Sequence, residues 1–154
     1  MEYRSELDIA KQSEKMLTQA LQHQTQRFAD HYNRPAGNKS IKDAVAKAKV
    51  KRYGKKRDGN QKIYMRSLSI QMARHGFVHH FGIDTTRKGG VRNRTKPKAT
   101  TYHYAAHYYR LKATPFLDTA IENSGVINYV ADNIAQLRAD AFGEELLFLV
   151  SGRY

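Results

Sequence analysis

The chain has 154 residues, 40% apolar and 27% charged, with no cysteine and a formal net charge of +13. That length fits one domain with a modest core. The missing thiols exclude disulfide staples and thiolate chemistry, and no run approaches the roughly 18 apolar residues of a membrane helix.

Met1-Glu2-Tyr3-Arg4-Ser5-Glu6 is too polar for a signal peptide, so synthesis and assembly in the cytoplasm are expected. Ser5-Glu6-Leu7-Asp8 is similar to a capping box. From it a helical stripe runs through Leu7, Ala10, Leu17, Leu21 and Phe28 to a stop at Asn33-Arg34-Pro35-Ala36-Gly37-Asn38. Such a helix would be about 40 Å long, enough to lie over its own sheet or against a neighbouring subunit. A second helix is predicted from Ser40, with Asp43 three residues on. Ile41, Ala44, Val45 and Ala48 form its apolar face, Lys42, Lys47, Lys49 and Lys51 its basic face, and Gly54 its stop. Lys55-Lys56-Arg57-Asp58-Gly59-Asn60 reads as a basic turn.

From Ile63 to Met72 the period becomes two. Tyr64, Leu68, Ile70 and Met72 share one face and Ser67, Ser69 and Gln71 the other, which predicts a half-buried strand. Ile83 to Ala99, with Gly89-Gly90 and Pro97, reads as a loop. Thr100 to Leu111 fits a strand by its tyrosines and a helix by Ala105-Ala106. Helices are predicted from Pro115 to Asn123 and from Val126 onward, broken at Ser124-Gly125. Val126, Val130, Ile134, Leu137 and Ala141 recur at helical spacing in the second. Leu146 to Val150 is apolar throughout and must dock on the sheet or on another chain. The predicted fold class is α+β: a small antiparallel sheet packed by a long N-terminal helix and C-terminal helices, with a long basic loop. One domain is expected, in three segments (1–34, 35–112 and 113–154).

Charge is segregated along this order. Positions 34–112 carry 21 Lys or Arg against Asp43, Asp58 and Asp84, while both ends are mildly acidic. A basic middle points to a polyanion or an acidic partner surface. The contact candidates are Lys51, Arg52, Lys55, Lys56 and Arg57 in one cluster and Arg87, Lys88, Arg92, Arg94, Lys96 and Lys98 in another. Such side chains meet phosphates without reading sequence. Tyr102, Tyr104, Tyr108 and Tyr109 could stack on bases, but ordinary β propensity makes them half-buried strand residues.

Catalytic chemistry finds little support. His103 and His107 share a face at a spacing of four, yet a zinc or iron site needs a third ligand and the nearest acid is Asp84. The basic middle, with three acids, lacks the paired carboxylates of a two-metal nuclease, and the chain shows no nucleophile elbow or phosphate-binding glycine loop. Neither an enzyme nor a cofactor or metal is expected.

Two segments flank the basic loop: His75-Gly76-Phe77-Val78-His79-His80-Phe81-Gly82-Ile83 and Lys112-Ala113-Thr114-Pro115-Phe116-Leu117-Asp118-Thr119-Ala120-Ile121. In the second, Thr114 is a plausible N-cap and Pro115 sits at the first helical position. Together they resemble the small tail-completion or neck proteins of long-tailed double-stranded DNA phages. That family's pattern is roughly Tyr-Ala-x-x-Val-Glu-Phe-Gly-Thr followed by Pro-Phe-Leu-x-x-Ala. Here Gly76-Phe77 stands for Tyr-Ala, and His80 for the glutamate. The resemblance spans about Ile63 to Val150 and implies a virion protein at the head–tail junction. It implies copies of itself in a ring around the DNA channel, bound to connector, tail-terminator or tail-tube proteins, with double-stranded DNA in the channel and no membrane. Phe77, Phe81, Gly82, Pro115, Phe116 and Leu117 would be framework. The alternative is a sequence-unspecific nucleic-acid-binding protein.

Overall fold

A computed structural model describes residues 5–29, 40–54 and 61–151. The predicted stop at Asn33–Asn38 and the basic turn at Lys55–Asn60 lie outside them. In chain order the elements are α1 (Glu6–Thr25), a 3-10 turn (Ile41–Asp43), β1 (Val45–Tyr53), β2 (Lys62–Gln71), α2 (Arg74–Phe81), β3 (Ile83–Arg87), β4 (Gly90–Arg94), β5 (Thr100–Tyr104), β6 (His107–Leu111), α3 (Phe116–Ser124) and α4 (Val126–Val150). The class is α+β. The chain forms two compact units, Met1–Ala73 with Phe116–Tyr154, and Arg74–Pro115.

The larger unit holds the core. α1 buries Ile9, Ser13, Leu17, Leu21 and Thr25, one residue every four, as a helix face requires. Leu17 and Leu21 pack with Ile41, Ala44, Ala46, Phe116, Leu117, Ala120 and Val126. Phe116 is wholly buried and meets Phe28 edge to face at 5.1 Å. Ser5 and Asp8 do not form the expected box: the Ser5 hydroxyl donates to the Asp8 carboxylate at 2.9 Å, and no side chain caps the backbone. α1 also ends at Thr25, so its 20 residues span about 30 Å rather than 40.

The second predicted helix is corrected. Ser40 and Asp43 do make a reciprocal capping box, with the Ser40 N–H donating to Asp43 at 2.6 Å, but the turn stops there. Val45–Tyr53 is a strand paired antiparallel with β2, with a bulge opposite Lys49/Val50. α1 explains the choice. Thr18 Oγ1 accepts the Ala46 N–H at 3.0 Å and Glu14 accepts the Ala48 N–H at 2.6 Å, so the helix satisfies two N–H groups on the outer edge of β1. A strand edge sealed by side chains leaves no bare N–H to the core. The strand predicted at 63–72 is β2. The C-terminal helices form as expected, and their break is Gly125 at φ 61°, the left-handed region glycine enters freely.

In the smaller unit, α2 buries only Gly76 and His80 among its residues. It closes on Gly82, which sits at φ 76° and donates its N–H to the Val78 carbonyl at 2.9 Å. A Cβ there would lie 2.7 Å from the Leu111 carbonyl oxygen, so only glycine fits. The predicted loop at 83–99 is overturned. β3 pairs with β6 and β4 with β5, both antiparallel. Ile83↔Leu111, Arg87↔His107, Gly90↔Tyr104 and Arg94↔Thr100 hold one register, making a single two-stranded ribbon whose pairing lapses at Lys88-Gly89 and Ala105-Ala106. At about 3.3 Å per residue each 12-residue arm is about 40 Å long.

Candidate functional site: a basic β-ribbon

Most of the ribbon's residues are exposed; among its paired residues only Ile83, Gly90, Tyr109 and Leu111 are partly covered. Its sequence explains why it still forms. Thr85, Thr86, Val91, Thr100, Thr101 and four tyrosines favour extended backbone and cross-strand pairing without a buried face. Seven cations (Arg87, Lys88, Arg92, Arg94, Lys96, Lys98 and Arg110) stand against one acid, Asp84, over residues 83–111.

That acid is engaged at the base of the ribbon. The Tyr108 hydroxyl donates to Asp84, and Arg110 Nε lies 3.8 Å from its other oxygen. The carboxylate pushes the Tyr108 hydroxyl above its ordinary pKa, because the bond needs the phenol proton. Nearby, Arg87 stacks over the Tyr109 ring at 4.2 Å. Among the described residues no carboxylate pairs with Lys88, Arg92, Arg94, Lys96 or Lys98.

Toward the tip, cations and aromatics share one face. Arg92 lies directly across from Tyr102, and Arg94 across from Thr100 one pleat further on. The Tyr104 ring covers Gly90, where a Cβ would meet its hydroxyl at 3.0 Å. Arg94 Nε donates to the Lys96 carbonyl at 2.7 Å, fixing that guanidinium at the turn. Arg92, Arg94, Lys96 and Tyr102 line a shallow concavity of about 470 Å³ with Asn93 and Thr95. The opposite face is neutral there: Thr101 donates to Asn93 at 2.9 Å. Such a face presents charge for phosphates or carboxylates, and flat rings for stacking.

All four tyrosines are strand residues as expected, and Tyr109 is partly covered, but Tyr102, Tyr104 and Tyr108 are 42%, 41% and 61% exposed, so the half-buried expectation is corrected for those three. No core lies behind these strands to cover them. Lys51 and Arg52 are exposed on β1 in the larger unit, Lys51 over the Tyr53 ring at 4.7 Å, while Lys55, Lys56 and Arg57 lie outside the described residues. The described members of the two predicted clusters therefore belong to different units. The motif residues also divide. Phe116 and Leu117 are core, Gly82 is the α2 cap and Pro115 immediately precedes α3, whereas Phe77 and Phe81 are 38% and 73% exposed. His103 and His107 are exposed on β5 and β6, and among the described residues no three His, Asp or Glu gather as metal ligands. The face shared by Arg92, Arg94, Tyr102 and Tyr104 escaped sequence reasoning. The signal for it was alternation within Arg92-Asn93-Arg94 and Tyr102-His103-Tyr104. Among the described residues no helix is long and apolar enough to cross a membrane.

Comparison with family models, with characterised proteins and with solved structures gives no match.

Proposed function

We propose that this protein is a virion structural component at the head–tail junction of a long-tailed phage, a tail-completion or neck protein assembled in a ring around the DNA channel. The observation that carries the reading is the ribbon: about 40 Å long, wet on both faces, with seven cations to one acid. A two-stranded ribbon is marginal in water when nothing covers it. A basic one of this length is suited to lying along DNA in a channel or on an acidic neighbouring ring. The resemblance of the Phe81-Gly82 and Pro115-Phe116-Leu117 segments to the neck family supplies the location, and it makes virion partners and a noncatalytic role the working expectation.

The test is electron microscopy of lysates from the parent phage or prophage with this gene deleted. DNA-filled heads beside separate, otherwise formed tails support the joining role; intact virions end it. The pairing of Arg92 with Tyr102 favours a second reading, a sequence-unspecific nucleic-acid-binding protein. Intact virions, together with micromolar or tighter DNA binding near physiological salt, would favour that one.

A further inference from the structure

We infer that the C-terminal end of α4 in one copy of this protein seats in a groove between β2 and the start of α4 in the next copy. Leu146–Val150 are 45–83% exposed, and Phe142 one turn earlier is 62% exposed. Five consecutive apolar residues cover every side of a helix, so no rotation of α4 about its axis hides them. On the same unit, Arg66, Leu68, Val126, Ile127, Val130 and Ile134 line an apolar groove of about 360 Å³.

The helix itself rules out occupancy by its own end. Groove residue Ile134 and Leu146 lie on one continuous α4. Twelve residues at 1.5 Å hold them about 18 Å apart, so the groove is out of reach of that chain's own terminus. Charge selects the occupant. Among the described residues Arg66 is the one charged side chain lining the groove, and it already donates to the Tyr53 hydroxyl at 2.7 Å, with further guanidinium donors to spare. Residues 139–150 carry Asp140, Glu144 and Glu145 and no base. An apolar end flanked by two glutamates thus matches an apolar groove bearing one arginine.

Since groove and helix end are different patches, the contact is heterologous and repeats head to tail. It rests on the neck reading only for the expectation that the series closes into a ring.

The test uses the purified full chain in a concentration series, by sedimentation velocity and light scattering. The wild type is expected to assemble beyond a dimer. Ile127→Asp in the groove and Leu149→Asp on the helix end alter side chains that are 65% and 73% exposed, so circular dichroism and Tm should hold. Each should raise the dissociation constant about thirtyfold or more, the loss expected of a buried anchor. Mixing the two variants should restore a dimer and nothing larger, because one intact groove then meets one intact end. A wild type monomeric to about 100 µM, an Ile127→Asp variant that assembles normally, or a mixture that stays monomeric each overturns the inference. Assembly in solution with intact virions from the deletion would end the neck role and leave this contact standing.

Discussion

The Glu6 carboxylate, in a side chain 4% exposed, accepts a hydrogen bond from Arg138 Nε at 2.9 Å. Its second oxygen accepts the Met65 N–H at 2.6 Å. One acid at the start of α1 thereby joins β2 and α4. Arg138 is half-exposed, with its guanidinium 5.8 Å from the centre of the Tyr64 ring. The bond to Glu6 raises an already high arginine pKa, so Arg138 stays charged at any pH the fold meets.

Replacing Glu6 by alanine leaves the Met65 N–H without its acceptor and Arg138 without its carboxylate. The expected loss is about 1.5–3 kcal/mol, the range for hydrogen bonds to charged groups. Glu6→Gln keeps a carbonyl for Met65 and should lose less than half of that. Urea unfolding of the two variants checks the order; equal losses would mean that the charge is what matters.

Phe116→Ala should cost about 3–5 kcal/mol, because the ring is wholly buried against Phe28. Phe81→Ala, at a side chain 73% exposed, should stay within about 0.5 kcal/mol. Thermal unfolding of both tests whether the aromatic–Gly segment and the Pro-Phe-Leu segment play different parts. A large loss at Phe81 would show that they do not.

Reversing charge at Arg92, Arg94 and Lys96 should leave circular dichroism unchanged, since none of the three is buried. If the ribbon meets DNA, the slope of log affinity against log salt should fall by about three, near one for each lost phosphate contact. Fluorescence anisotropy on a random duplex measures it, and an unchanged slope removes the tip from the DNA contact.

Two tyrosines have their pKa values shifted in opposite directions. Asp84 raises Tyr108, so that contribution is complete below the ordinary value of 10.0 and is lost as pH rises through the higher folded value. Tyr53 is lowered, first by the neighbouring Lys51 ammonium and then through Arg66, whose guanidinium donates to its hydroxyl. Its contribution is present above 10.0 and lost as pH falls through the lower folded value. NMR of carbon-labelled tyrosine should show Tyr53 ionising before Tyr108, and Asp84→Asn should bring Tyr108 back toward 10.0. The reverse order would contradict the geometry of both pairs.

Elements with one buried face were legible in the sequence. Leu17 and Leu21 on α1, Leu68 and Ile70 on β2, and Phe116 to Val126 in the last helices all show the period of their element. Val45–Tyr53 was misread because Ile41, Ala44, Val45 and Ala48 satisfy helical spacing. The alternation Ala46-Lys47-Ala48-Lys49-Val50-Lys51, which fits a strand, lies in the same residues. Two overlapping periods leave the decision to tertiary partners, here Glu14 and Thr18. The ribbon was illegible for a different reason. With no buried face, its strands carry no apolar alternation, and Gly89-Gly90 read as slack. In fact a Cβ on Gly89 would lie 2.8 Å from the Tyr104 carbonyl oxygen, so that glycine permits close approach of the strands.

The polar side chains that α1 turns inward impose an order in time. α1 is made first, yet Thr18 and Glu14 await Ala46 and Ala48, and Glu6 awaits Met65 and then Arg138, 132 residues later. At about 5–20 residues per second that wait is roughly 7–26 s on the ribosome. During it the α1 segment carries Leu17 and Leu21 uncovered beside a carboxylate that has not met its guanidinium. A chain terminated before Arg138 never neutralises it, so truncated products should remain open to proteases while full-length ones close.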